Sequence, residues 1–359
     1  MTAIGIHRLY SQHIAQSTEQ TPAGVVAWLG ALQGQDYYGA KWSVGLRLTG
    51  ATDAQVEQAI ADHDIIRAWL MRGTLHLATH ADIYWMLDLL SSRIISGNKS
   101  RYKQLELDHT TLMKSNEILA DALKNGKHLT RKALFPILEQ HGISTAGQRG
   151  VHMLQRASLD GLICQSIAER NDPQFFLFDG HPKTPKFTRE EALMELAKRY
   201  FISRGPATVQ DFAWWAGLTL TDARKGLEAI KSLLIEDIID DVSYWRSAED
   251  KTPIAQKTDS PEVYLLPGFD EFYLGYKDRS PIIDPIYMNN VCPGNNGVFK
   301  PTIVINGRIV GIWQRTLKKH AVEITLAPFE PLTGEQIEAI HPVAQRYSDY
   351  LEGSLVFTP

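Results

Sequence analysis

Residues 130–179 read TRKALFPILEQHGISTAGQRGVHMLQRASLDGLICQSIAERNDPQFFLFD, and this stretch decides the fold class. The hydroxyl of Thr130 is placed to cap a helix through RKALFPILEQ, which His141-Gly142 ends. Ser144 or Thr145 is expected to cap a second helix over AGQRGVHMLQRASLD, with Gly161 after it. Residues 162–168 and 173–179 have strand character and are joined by a polar turn at 169–172. Two short capped helices followed by a hairpin is the winged-helix pattern.

The pattern recurs on both sides. Downstream, Thr208 starts a helix that stops at Gly217, and Thr219 or Thr221 starts another. LIEDIID and VSYWRS then form a hairpin. Upstream, TPAGVVAWLGALQ has Pro22 in its first helical turn, and TDAQVEQAIADHD begins at Thr52 or Asp53. IIRAWLM and TLHLAT pair around Arg72-Gly73. After a linker, KTPIAQKTDSPE, the texture becomes β-rich in VYLLPGFDEFYLGY, GVFKPTIVING, RIVGIWQRT and AVEITLAPF, with a last helix over 331–351. The expected class is α+β: winged helices at 1–81, 124–189 and 190–249, a helical connector at 82–123, and an antiparallel β-barrel or curved sheet at 250–359.

Composition bounds the function. The chain has 359 residues, enough for two or three domains, and 44% of them are apolar. Lys+Arg is 37 against Asp+Glu 41, a net charge of -4, so no uniform positive field attracts a polyanion. Any nucleic-acid site must concentrate its cations on one face. Cys164 and Cys292 lack metal-ligand spacing, and the N-terminus has no apolar signal core. A reduced, cytoplasmic protein without membrane contact, metal or cofactor is expected. No P-loop, dinucleotide fingerprint, GxSxG elbow or HExxH is present, which leaves nucleotide cofactors and triad hydrolysis unsupported.

Polar residues in unusual settings remain. Gln33 and Gln35 flank Gly34. On a helix they diverge; in an extended segment they share a face and can hold a water between two amides. The plainer alternative is a helix ending in solvent. His76, in TLHL, reads either as a hydrogen-bonded structural histidine or as a ligand to substrate. Asp270 and Glu271 would point to opposite faces of a strand, with Arg279 or Lys277 as partners, or Asp270 would line a site.

Four stretches together, ALQGQDYYGAKWSVGLRL, RAWLMRGTLHLAT, LLPGFDEFYLGYKDRS and NNGVFKPTIVINGRIVGIWQRT, resemble the winged-helix DNA glycosylases of the AlkZ/YcaQ kind. The likeness runs along nearly the whole chain in the same order. It implies three tandem winged helices and a C-terminal β-barrel around a C-shaped, DNA-sized channel. It also implies an enzyme acting on damaged double-stranded DNA, excising N7-alkylated purines and, in some members, unhooking crosslinks; with the channel formed within one chain, a monomer is the default expectation. The family's catalytic signature is Gln, an aliphatic residue, Gln, carried here by Gln33, Gly34 and Gln35. Gln35 places the chain on the AlkZ-like side, because YcaQ-type members have Asp there; Gly34 departs from the aliphatic pattern.

Asp36, Lys41, Trp42, Arg72, His76 and Asp270 are then candidates to line the site. Gln148, Arg149, His152, Arg156, Arg308 and Arg315 are candidates to contact DNA. The competing reading is a non-catalytic winged-helix DNA-binding protein or regulator, which would prefer one DNA sequence by about 10³ or more.

Overall fold

The computed structural model describes residues 2–169, 172–178, 187–250 and 260–358. Helix α1 (Thr2–Ser11) precedes α2 (Pro22–Leu29), where the Thr21 side chain accepts from the Gly24 N–H. Gly30, at φ 72°, stops α2. Helix therefore gives way at Gly30 and not at Gly34, because the left-handed φ there costs glycine nothing. Leu32 and Gln33 form a two-residue strand β1. Next come α3 (Tyr37–Gly45), α4 (Asp53–Ala61) behind a Thr52–Gln55 capping box, and the hairpin β2 (Ile65–Trp69) and β3 (Leu75–Thr79). Helices α5 (His80–Gly97), α6 (Lys99–Gln104) and α7 (His109–Ala122) follow.

The decisive stretch contains β4 (Leu129–Thr130), α8 (Arg131–Gln140), α9 (Arg149–Leu159), β5 (Ile163–Glu169) and β6 (Asp172–Leu177). Thr130 caps α8 as expected. Helix α9 starts later than its sequence suggests. Ser144 accepts from the Ala146 N–H in a local turn, and Gly147 takes φ 63°. Then come α10 (Arg189–Arg204), α11 (Val209–Ala216) ended by left-handed Gly217, α12 (Leu220–Ile230) capped by Thr219, β7 (Leu234–Ile239) and β8 (Val242–Ser247). The turn expected at 169–172 and the linker expected at 251–262 fall largely on residues 170–171 and 251–259, outside the described residues.

The C-terminal part holds β9 (Val263–Leu266), α13 (Glu271–Leu274), α14 (Met288–Val291), β10 (Thr302–Ile305), β11 (Arg308–Leu317), β12 (Ala321–Pro328), α15 (Gly334–Tyr350) and β13 (Ser354–Thr358). Asp270 and Glu271 are not on a strand. The Asp270 carboxylate accepts from the Phe272 N–H and starts α13.

Two sheets position the site. The first runs β1-β3-β2-β5-β6-β4, so the hairpins of the first and second helix pairs share one sheet, joined where Arg67 pairs with Gln165. The second, β13-β12-β11-β10-β9, is a curled half-barrel. It is not wholly antiparallel: β13 runs parallel to β12, because α15 carries the chain back as a crossover. The strand alternation of β2 and β3 serves two cores. Ile65 and Leu77 face one, built with α2, α3, α15 and the half-barrel. Ile66, Ala68 and Ala78 face the other, built with α5 and α10 to α12.

Candidate active site

Strand β1 pairs with β3 through Leu32–Leu77 and Gln33–His76, and the Gly34 N–H donates to the Leu75 carbonyl at 2.7 Å. Gln33 is buried, and its side-chain oxygen accepts from the Thr74 hydroxyl at 3.2 Å. Its backbone N–H donates to Oε1 of Glu271 at 2.9 Å. Glu271 is 1% exposed. Its other oxygen accepts from Arg204 at 2.7 and 3.1 Å and from the Trp215 indole at 2.9 Å. Arg204 in turn donates to the carbonyls of Leu29 at 2.6 Å and Ala31 at 2.8 Å. One buried ion pair therefore fixes both the end of α2 and the start of β1.

The chain turns after Gly34, and the two glutamines do not share a face. Gln33 lies on the side of His76 and Ala68, its partners across the sheet. Gln35 is exposed and lines a cavity on the opposite side, the side of Arg67, Trp69 and Leu75. The strand alternation that would align them ends at Gln33. A Cβ at Gly34 would stand 3.2 Å from the His76 carbonyl carbon, so glycine lets β1 lie close against β3.

The cavity has a volume of about 350 Å³ and opens where the two hairpins meet. Trp69 and Phe175 form a stacked wall, with ring centroids 6.3 Å apart. Tyr37, Val151 and Leu154 add apolar surface, and Asp36 and Arg131 add charge. Arg67, 5% exposed, donates to the Gly34 carbonyl at 2.9 Å and to the Gln165 side chain. Burial lowers its pKa to about 10, which still leaves it charged at neutral pH. Arg67 thus fixes the peptide that carries Gln35.

Among the other candidates, Asp36 lines this cavity. Lys41 does not; it is 1% exposed and pairs with Asp53 at 2.6 Å and with Glu57. Trp42 is core, its indole donating to the Leu265 carbonyl at 2.9 Å. Arg72 leaves the cavity for the end of α11, donating to the Trp215 carbonyl with its guanidinium 4.7 Å from the Trp214 ring. His76 is fully buried. Burial and the nearby Arg72 cation lower its pKa to about 3, so it is neutral. Asp270 pairs with Arg47 through both oxygens, at 2.9 and 3.0 Å, and accepts from Ser43 at 2.5 Å. Its expected partners, Arg279 and Lys277, lie elsewhere: the Arg279 guanidinium sits 4.6 Å from the Tyr273 ring, and the Lys277 N–H donates to Asp211.

The expected DNA-contacting residues are largely engaged. Gln148 accepts from Arg101 at 2.6 Å. Arg149 donates to the carbonyls of Leu105 and Glu106. His152 packs edge-on to Tyr102, and Arg156 pairs with Asp160 at 2.9 Å. That face of α9 is turned to the connecting helices. Arg315 donates to the Tyr347 hydroxyl. Arg308 and Arg315 lie on one face of β11, because the register shift opposite Ile303 and Val304 offsets their odd spacing, but they stand about 20 Å apart along the strand. They do not converge on one phosphate. Sequence reasoning missed Arg67, Thr74, Gln165 and Arg204 altogether. The signal for Arg67 was available: an arginine inside the apolar run IIRAW.

Comparison with known proteins agrees with this architecture. A family profile described as DNA glycosylase AlkZ-like matches residues 26–350. A curated relative, the interstrand DNA cross-link repair glycosylase of Streptomyces sahachiroi, is 24% identical over 93% of this chain and 93% of its own. The solved structure of the Streptomyces sahachiroi DNA glycosylase AlkZ superposes with a TM-score of 0.77, covering 99% of each chain at 22% identity. The chain belongs to the AlkZ-like DNA glycosylase family.

Proposed function

We propose that this glycosylase is monofunctional and hydrolyses the N-glycosidic bond of cationic N7-alkylated purines in duplex DNA, with Gln33 and Gln35 as its catalytic amides. An N7-alkylpurine already carries the positive charge that makes it a leaving group. The protein need not supply a strong acid; it must place a water and stabilise an oxocarbenium-like sugar. Neutral amides suit that task and give little help to uncharged bases. The observation that carries the reading is the anchoring of Gln33, its N–H on the buried Glu271 carboxylate and its amide oxygen on Thr74. Gln35, on the cavity side, then acts after the segment adjusts to DNA. The cross-link activity in the name of the Streptomyces relative supports extending the substrates to bulky adducts and interstrand crosslinks.

In this reading the three helix-pair-and-hairpin units, 1–81, 124–189 and 190–249, are winged helices that, with residues 250–359, cradle the DNA, and the enzyme works as a cytoplasmic monomer without nucleotide cofactor. Among the described residues no helix is long and apolar enough to cross a membrane.

The test is a duplex carrying one N7-methylguanine, incubated with wild type, Gln33→Ala and Gln35→Ala, followed by mild alkali. Strand breaks that need both glutamines support the reading. Breaks that survive both substitutions assign the chemistry to other residues.

A further inference from the structure

Directly across from Gln33 stands His76, with no exposed surface. Its Nδ1 lies 3.0 Å from the Thr74 carbonyl oxygen. A carbonyl only accepts, so Nδ1 carries the proton and Nε2 presents a lone pair. Nε2 is buried and has no hydrogen-bond partner among the described residues. Buried acceptors without partners are rare in folded proteins and ask for an explanation. The neutral state set by burial and Arg72 keeps this lone pair free at any working pH.

Gln33 offers the complementary group. Residues directly paired across antiparallel strands project to one face, with Cβ atoms about 5 Å apart. The Gln33 oxygen is taken by the Thr74 hydroxyl, and its amide nitrogen has no partner among the described residues. One donor and one acceptor thus sit on one face, both ordered by Thr74. A single water bridging them would accept from the Gln33 amide and donate to Nε2.

We propose that His76 Nε2 and the Gln33 amide together hold the water that attacks the glycosidic bond, making His76 a catalytic hydrogen-bond acceptor. The inference rests on the reading of Gln33 as part of the hydrolytic site. In the step, the water oxygen bonds to the sugar C1′ as the C1′–N9 bond breaks. The bonding pair goes to the purine and cancels its positive charge, and the surplus proton passes to solvent. His76 orients the water and lends it electron density.

Three substitutions separate this role from a structural one. His76→Gln places an oxygen near the position of Nε2; His76→Asn keeps only the Nδ1 side; His76→Phe keeps only shape. Single-turnover cleavage of the N7-methylguanine duplex is expected to fall roughly 10²-fold in His76→Asn and His76→Phe, with duplex affinity unchanged. His76→Gln is expected to stay within about fivefold of wild type. Equal losses in all three, or a His76→Phe enzyme as fast as wild type, would overturn the proposal. Gln33→Ala assayed in parallel tests the underlying reading: if it retains full activity, that reading falls first. A crystal structure fine enough to show waters is the second, activity-independent arm. One water bridging His76 Nε2 and the Gln33 amide supports the proposal; a protein group satisfying Nε2 sinks it.

Discussion

Replacing Glu271 by Gln tests how the Gln33 segment is held. All four hydrogen bonds to the Glu271 carboxylate come from donors: the Gln33 N–H, two from Arg204, and the Trp215 indole. A glutamine keeps the shape but has one accepting oxygen, so the Gln33 N–H or the Arg204 and Trp215 donors must lose theirs. It also leaves Arg204, itself fully buried, without a counter-charge. Breaking a buried pair from one side costs about 3–5 kcal/mol. At a urea m-value of about 3 kcal/mol/M, the unfolding midpoint falls by about 1–1.7 M. Glycosylase activity should fall further than the remaining folded fraction explains, because the anchor of Gln33 is weakened. The double change Glu271→Leu with Arg204→Met removes the unpaired charge and should recover part of the midpoint while leaving activity low. A shift under about 0.3 M for Glu271→Gln, or activity returning with stability in the double variant, would refute the reasoning.

Three further outcomes are expected. Excision of N7-methylguanine should be flat between about pH 6 and 9, since glutamine does not titrate and His76, with a pKa lowered to about 3, is already neutral; an inflection in that range would assign the chemistry to another group. For Asp270, burial pushes the carboxyl up, but Arg47, Ser43 and the Phe272 N–H outweigh it and hold the pKa below its ordinary value. A depressed carboxylate stabilises the fold above its unfolded pKa and is lost as pH falls through the folded one, so Asp270→Asn should flatten the stability decline below about pH 4, measured as urea midpoints against pH. Gly34→Ala should fold within about 1 kcal/mol of wild type and stay active, because Gly34 is not in the left-handed region and its nearest obstacle is 3.2 Å away; a far larger midpoint loss would show that β3 cannot give way.

Much of the architecture was legible because it is written locally. Thr130, Thr208 and Thr219 cap the helices expected of them, and Gly217 ends α11. The paired strands around Arg72-Gly73 follow from alternation. What sequence hid depends on distance or on a few torsions. Gly30 rather than Gly34 stops α2, and β1 is too short for periodicity to reveal. The two glutamines were legible as a motif but not as a geometry, since the turn after Gly34 sends them to opposite sides of the sheet. Glu271 was paired on sequence proximity with Arg279 or Lys277, whereas its partner Arg204 lies 67 positions away. The basic face of α9 looked free because nothing local says that α6 and α7 pack against it.

The bond from Gln33 to Glu271 spans 238 positions. A chain still on the ribosome makes the glutamine motif early and its anchor late. The core around α2 and α3 is likewise closed by the half-barrel and α15, which are synthesised after them. The order of synthesis thereby acts as a safety catch: a nascent or prematurely terminated product carries the glutamines without the carboxylate that sets them. A base-excising activity that depends on this anchor is armed only once the chain has been made as far as Glu271.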